Sequence, residues 1–189
     1  RTGEGYRKLC RLLTCGHAGR PKGACTVSFD ELAEHAAGLT ALVGRDILLA
    51  DDGTLDRLAA IFPGELRLAI ARHRLRDEEH DNRALIELAR RRRLPLVATN
   101  DVRYATPDRA PLHDVLTCLR LGTTLAAAGR RLRPDAERHL RPPEELAALF
   151  SDLPEALAET SALGQRCAFT LKDLGYRFPE HPLPPGRTA

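Results

Sequence analysis

Three short apolar segments, each preceded by a helical pattern, constrain the fold of this chain most strongly. They are "LTALVG" (39–44), "ELRLAIAR" (65–72) and "LPLVATN" (94–100). Their length and the turn residues around them are typical of buried strands. Helix followed by strand, repeated with short connections, is the pattern of βα units that build a parallel sheet. The sequence therefore predicts an α/β fold.

Four helices are predicted around these strands, over 28–38, 53–62, 77–93 and 107–122. Ser28 and Glu31 have the spacing of a capping box at the start of the first helix. The helix over 77–93 begins with acidic residues and ends with arginines, which suits the helix dipole. Pro107 at the start and Gly122 at the end bound the fourth helix. These signals fix where the helices lie between the strands.

The strand pattern stops after about residue 122. Two helices are predicted over 141–150 and 151–167, and the proline-rich tail "FPEHPLPPGRTA" (178–189) predicts an extended connector. Three strands are too few to close or cover a parallel sheet, so we expect only part of a fold. The chain also contains no methionine in its 189 residues. This absence indicates that the sequence belongs to a longer protein.

The overall composition indicates an ordinary globular protein, with 43% hydrophobic and 29% charged residues. No apolar stretch approaches the ~20 residues that a membrane span requires, and no signal peptide is evident. The five cysteines do not have the spacing of a zinc site. They are therefore interpreted as free thiols in a reducing compartment, which predicts a cytoplasmic location.

The basic residues are concentrated in runs, although the net charge is only +3. All but three of the 29 basic residues are arginine, and they cluster in "RRRR" (90–93) and "GRRLRPDAERHLR" (129–141). Such runs are typical either of phosphate binding or of solvated helix ends. GC-rich codon usage would also favour arginine. The sequence leaves these alternatives open.

Two strand ends carry residues that could bind a metal. His73 follows the second predicted strand, and Asp101 follows the third. In parallel α/β folds, ligands gather at the carboxyl ends of the strands. A hydrolytic metal centre nevertheless needs several converging ligands and an open position for water. A strand-end histidine and a turn-forming Asn-Asp pair are the ordinary alternatives, so spacing alone does not establish a site.

Other catalytic patterns are absent from the sequence. It contains no GxGxxG, no P-loop and no HExxH motif. Among the seven histidines, His80 is predicted to face solvent in a charged helical turn. His35, near a helix end, is interpreted as favouring the helix dipole.

Collinear blocks along nearly the whole chain resemble the bacterial C-family DNA polymerases, which are the replicative polymerase III alpha subunit and its error-prone relative. The blocks are "GYRKLCRLLT", "PKGACTVSFDELAEHAAGLTALV", "LPLVATNDVRY", "PLHDVLTCLRLGTT", "RHLRPPEELAALF" and "LPEALAETSALGQRCAFTLKDLGYRFPE". The segments "LCRLLT", "DVLTCLR" and "LKDLGYRFPE" are closer to the error-prone branch. The resemblance therefore implies an error-prone, damage-induced translesion polymerase.

The resemblance also implies a domain organisation. Residues 1–140 would be the C-terminal part of the polymerase-and-histidinol-phosphatase (PHP) domain, a partial βα barrel with a metal cluster in active members. Residues 141–189 would be a helical junction and linker toward the polymerase palm. The carboxylates that hold catalytic magnesium would lie beyond Ala189, so this region would be non-catalytic. Implied partners are DNA and deoxynucleotide triphosphates, with a sliding clamp and accessory mutagenesis proteins as further candidates, and no membrane.

Compared with the family's metal ligands, this sequence matches at two positions and departs at two. His73 and Asp101 match, whereas Ala69 replaces a glutamate and Arg103 replaces a histidine. Alanine cannot bind a metal, and arginine brings a permanent positive charge. We therefore predict a degenerate site that binds no metal, in which Arg103 forms an ion pair with Asp101.

Three other functions are weighed against the error-prone polymerase. One is a replicative alpha subunit; the others are a free-standing PHP phosphoesterase, which needs intact ligands, and a scaffold with no polymerase attached. Because barrel strands would be absent, we also expect residues 1–189 alone not to fold stably.

Overall fold

The predicted α/β fold is confirmed in the computed structural model, which describes residues 1–51 and 53–174. Three parallel strands form an open sheet in the order β1-β2-β3, with β1 at Ala41–Val43, β2 at Leu66–Ala71 and β3 at Leu96–Thr99. Each strand lies inside one of the predicted segments. Among the described residues the sheet does not close, so the partial barrel stays a prediction.

The described residues contain eight α-helices, all four predicted helices around the strands among them. They are α1 Gly3–His17, α2 Phe29–His35, α3 Thr54–Ile61, α4 Arg76–Arg92, α5 Ala110–Leu121, α6 Leu125–Ala128, α7 Pro143–Leu149 and α8 Pro154–Arg166. Short 3-10 helices lie at Arg45–Leu49, Pro107–Arg109, Gly129–Arg131 and Leu171–Leu174. In the described part of the chain, no helix is both long and apolar enough to cross a bilayer.

Two predicted capping signals are present, whereas Pro107 begins the 3-10 helix Pro107–Arg109 and α5 itself starts at Ala110. Ser28 and Glu31 form a reciprocal capping box at the start of α2, and Gly122 ends α5 with a left-handed φ of 60°. Arg93 ends α4 in the same left-handed conformation, with a φ of 53°, although a glycine is more usual there. The first helix, α1, is an addition to the prediction, and the Thr2 hydroxyl caps it by accepting from the Gly5 amide.

Strand β2 lies at the centre of the sheet and is buried on both faces. Leu66, Arg67 and Leu68 are consecutive and all buried, which is the pattern of a central parallel strand. One core cluster joins Leu66 and Leu68 to apolar residues of α3 and α4. Ile70 belongs to a second cluster, which contains residues of the α7–α8 region.

Helices α7 and α8 pack directly on the sheet. Phe150 and Ala156 are fully buried in the second cluster, and the Thr160 hydroxyl donates to the Ala98 carbonyl at 2.9 Å. Residues 141–166 thus share a core with the strands, and the domain boundary at residue 140 stays a prediction. The predicted extended tail over 178–189 lies outside the described residues.

Candidate functional site

The four residues compared with family metal ligands line one cavity at the carboxyl ends of β2 and β3. This cavity has a volume of about 550 Å³, and Ala69, His73, Asp101 and Arg103 are all in its wall. The four residues thus meet at the edge of the sheet that the sequence indicated, and ligand binding there stays a prediction. The chain leaves β3 through Asp101 itself, whose φ of 40° is left-handed, a conformation that aspartate tolerates better than most residues.

His73 is buried and both of its ring nitrogens are engaged by protein oxygens. Only 1% of the residue is exposed. Its Nδ1 lies 2.6 Å from Glu78 Oε1, and its Nε2 lies 2.9 Å from the Asn100 carbonyl oxygen. The His73 backbone amide also donates to Glu78 Oε2. The ring is therefore fixed between α4 and the end of β3, and neither nitrogen is free to bind a metal.

Glu78 was not among the residues predicted for the site, although it follows His73 closely in the chain. Burial raises the pKa of this carboxyl, but the hydrogen bonds from the His73 ring and amide, together with attraction from His73 and Arg138, outweigh it and hold the pKa below its ordinary value. Glu78 is therefore a carboxylate at neutral pH. Its position in the first turn of α4, where acidic residues are favoured, was the only signal in the sequence.

Asp101 is surrounded by three arginines. Arg103 Nη2 lies 2.8 Å from Asp101 Oδ1, so the ion pair expected from the sequence is present. Arg138 donates to Oδ2 of the same carboxylate, and Arg133 lies 3.9 Å from it. Burial, with repulsion from Arg133, lowers the pKa of the Arg138 guanidinium. The negative charge at this strand end is therefore balanced by protein cations.

The segment after α6 brings Arg138 to the site by pairing with the chain that leaves β3. The Arg103 amide donates to the Arg138 carbonyl at 2.8 Å, and the Leu140 amide donates to the Tyr104 carbonyl at 3.2 Å. Asn100 Nδ2 donates to the carbonyls of Glu137 and His139. Arg138 lies 37 residues beyond Asp101, so sequence reasoning did not connect them.

The arginine run over 129–141 divides into two kinds of residue. Arg138 and Arg141 are buried, and Arg141 is paired with Glu137 and Glu145. Arg130, Arg131 and Arg133 are exposed. The run over 90–93 is exposed throughout, as expected for a solvated helix end. The burial of Arg138 and Arg141 shows that the run over 129–141 is not simply a solvated helix end, and phosphate binding by its exposed arginines stays a prediction.

The residues present at this site do not fit a metal ion. Ala69 offers no donor atom, the His73 nitrogens are already bonded, and Asp101 is paired with guanidinium groups. In residues 1–51 and 53–174, no three or more His, Cys, Asp or Glu side chains are grouped so that they could hold a metal. Any added cation would also be repelled by Arg103 and Arg138.

The remaining predicted residues lie apart from this cavity. His80 is exposed, as predicted. His35 is buried at the end of α2, with Nδ1 lying 2.9 Å from the Glu31 carbonyl oxygen. The five cysteines are free thiols, and Cys118 is the buried one among them.

Comparison with known proteins identifies relatives along nearly the whole chain. The chain is 43% identical over 191 residues to an error-prone DNA polymerase of Anaeromyxobacter dehalogenans (strain 2CP-C). It is 39% identical over 187 residues to one of Rhodopseudomonas palustris, and 40% identical over 190 residues to error-prone DNA polymerase 1 of Agrobacterium fabrum. These alignments cover 96–97% of the chain but only 16–17% of each relative. No protein-family model matches the chain.

Proposed function

We propose that this chain, a homologue of a segment of the bacterial error-prone DNA polymerases, is the non-catalytic PHP region of such a polymerase. The whole protein would transfer nucleotides from deoxynucleotide triphosphates to DNA, in the cytoplasm, past damaged template positions. Its catalytic magnesium would be held by carboxylates outside these residues. Collinear identity of about 40% over 96–97% of the chain supports this assignment.

The pairing of Asp101 with arginines is the observation that carries the non-catalytic role. A hydrolytic metal centre needs three or more protein ligands and an open position for water. At this site Arg103 and Arg138 already neutralise Asp101, and arginine stays charged at any physiological pH. The strand ends are thus held together by ion pairs and by the His73–Glu78 pair. This arrangement supports a structural role for the cavity.

Helix α5 presents an apolar face that supports contact with another part of a longer polymerase. Leu112, Val115, Leu116 and Leu119 follow at spacings of three and four residues and are exposed, Leu119 by 71%. Residues at this spacing share one helix face, and contiguous exposed apolar surface marks interaction sites. Since the chain spans about a sixth of the length of its relatives, the proposed occupant is an adjoining polymerase domain.

Primer extension by the longest natural protein that contains this sequence tests the proposal. We expect extension on an undamaged template and past an abasic site. An Arg103→Gln variant should retain the extension rate, because Arg103 would touch no reacting atom. A phosphodiester substrate such as bis-p-nitrophenyl phosphate should not be hydrolysed with added Mn²⁺.

Three results would contradict the proposal. Hydrolysis that a His73→Ala substitution abolishes would identify a phosphoesterase. Extension that stops at the abasic site would favour the replicative branch. If a well-folded protein extends no primer, the result would favour a scaffold with no polymerase activity.

A further inference from the structure

A second cavity, of about 430 Å³, adjoins the strand-end cavity and is lined mainly by arginines. Seven arginines and His113 contribute to its wall, and none of the described residues lining it is acidic. Arg45, Arg103, Arg133 and Arg138 line both cavities. We call this second cavity the arginine pocket.

Within the arginine pocket, three arginines share a single carboxylate. Arg103, Arg133 and Arg138 all lie within 4 Å of Asp101. One negative charge cannot neutralise three positive charges, so this cluster keeps an excess of positive charge. Repulsion from Arg133 is the second cause, after burial, of the lowered pKa of Arg138.

Three further arginines of the pocket have no acidic partners among the described residues. Arg120 lies in the last turn of α5, and Arg130 and Arg131 lie in the 3-10 helix Gly129–Arg131. Arg131 donates to the carbonyls of Ala127 and Ala128. In the part of the chain that the structure describes, none of these three arginines forms an ion pair with a carboxylate. Their charges remain available to a ligand.

We propose that the arginine pocket binds an anion that carries two or more phosphate groups. The planar guanidinium fork matches phosphate oxygens in a bidentate manner. A cavity of this volume lies in the range of small-molecule sites, roughly 300–1,000 Å³. Crowded like charges repel each other, and a polyanion bound in the pocket relieves that repulsion. The proposal depends on the geometry of the pocket alone and not on the polymerase assignment.

Such an anion has two possible sources, which share the same phosphate chemistry. It is either a free polyphosphate, such as pyrophosphate, or successive phosphates of a single DNA strand. Both are recognised by arginine side chains without base contacts. The probes are therefore inorganic pyrophosphate and a 12-nucleotide thymidine oligonucleotide.

Footprinting of arginines in the longest natural protein that contains this sequence tests the pocket directly. Phenylglyoxal modifies accessible guanidinium groups, and mass spectrometry of the resulting peptides reports each arginine separately. At a probe concentration about ten times its Kd, the modification of Arg120 and Arg130 should slow by about tenfold. Arg11, an exposed arginine of α1, serves as the internal control and should react at an unchanged rate. This readout is local, so phosphate sites elsewhere in the protein do not affect it.

Matched substitutions provide a second measurement. In Arg120→Gln the protection of Arg130 should weaken, and in Arg130→Gln the protection of Arg120 should weaken. The apparent Kd of the probe should rise by about tenfold for each charge-assisted hydrogen bond that is lost. Arg11→Gln should leave the apparent Kd unchanged. These side chains are exposed, so the variants retain the fold.

Each outcome decides the proposal. Protection of Arg120 and Arg130 by either probe supports it, and the probe that acts at the lower phosphate concentration identifies the source of the anion. Equal protection of Arg11 would show general charge screening and would overturn it. An absence of protection with both probes would overturn it as well.

Discussion

At the scale of single residues, the His73–Glu78 pair is a buried polar contact at the strand ends. Glu78 accepts from both the amide and the ring of His73, and His73 in turn reaches the Asn100 carbonyl. Removing one partner of a buried charged hydrogen bond leaves the other without compensation, which is more costly than losing an exposed pair.

We expect Glu78→Gln to loosen the junction between β2 and α4. The uncharged amide replaces one acceptor oxygen with a donor, so the local free energy of opening should fall by about 2 kcal/mol, equivalent to roughly 30-fold faster amide exchange. Hydrogen–deuterium exchange of the peptide over 66–82 measures this change. The control is Glu79→Gln, since Glu79 is half exposed and pairs with Arg83 at 3.7 Å. Equal effects of the two substitutions would contradict the prediction.

The same contact predicts a pH dependence. The pKa of Glu78 lies below its ordinary value of 4.5 in the folded chain. Its contribution is therefore complete above about pH 4.5 and is lost as the pH falls through the lower, folded pKa. Exchange of this peptide, corrected for intrinsic rates, should accelerate in that acid range in the wild type. In Glu78→Gln the acceleration should be smaller, and an identical acid profile in both proteins would argue against a role for this carboxylate.

At the scale of elements, Phe150 and Arg72 attach the turn between α7 and α8 to the sheet. Phe150 is fully buried in the second core cluster, with the Arg72 guanidinium 5.0 Å from the centre of its ring. Arg72, which follows β2, donates to the Leu149 carbonyl at 2.7 Å and to Asp152 at 2.8 Å. The turn between the two helices is thus attached to the strand that leads to His73.

We expect Phe150→Ala to release α7 and α8 from the strands. Truncating a buried phenylalanine removes about 3–5 kcal/mol of packing free energy. Amide exchange in the peptides over 143–166 should accelerate strongly, while α1 should change little. Leu140→Ala is the matched control, because Leu140 is 66% exposed. If exchange in α8 stays slow, the prediction is wrong. The Thr160–Ala98 hydrogen bond and the Arg67–Glu159 ion pair would then suffice to hold the helix on the sheet.

At the scale of the whole molecule, the sheet is short and its outer strands have free edges in the described structure. β1 and β3 each pair only with β2 among the described residues, and Leu42 of β1 is 48% exposed. The apolar face of α5 adds further uncovered surface. Parallel sheets are stable when both faces and edges are covered. Another segment of a longer polypeptide could cover these strand edges and the apolar face of α5.

We therefore expect residues 1–189, expressed alone, to lack a cooperative unfolding transition. Circular dichroism during heating should show a broad, gradual loss of helical signal. The longest natural protein that contains the sequence is the comparison, and in it the β2 amides should exchange slowly. A single sharp thermal transition of the isolated chain would contradict this expectation.

The sequence by itself determined the local elements and the chemical identity of the strand-end residues. Strands, helix caps and the αL glycine after α5 depend on periodicity and on residues within one or two turns. That Ala69 and Arg103 could not act as metal ligands also followed from residue type alone. Among the described helices, α1 and the short α6 lay beyond those that these signals indicated.

The tertiary structure decided which side chains meet. Asn100 reaches His73 from 27 residues away, Arg138 reaches Asp101 from 37, and Glu159 reaches the buried Arg67 from 92. The same arginine run supplies buried ion pairs at Arg138 and Arg141 and open pocket walls at Arg130 and Arg131. Nothing in local sequence separates these roles, because burial and charge pairing depend on how distant segments pack.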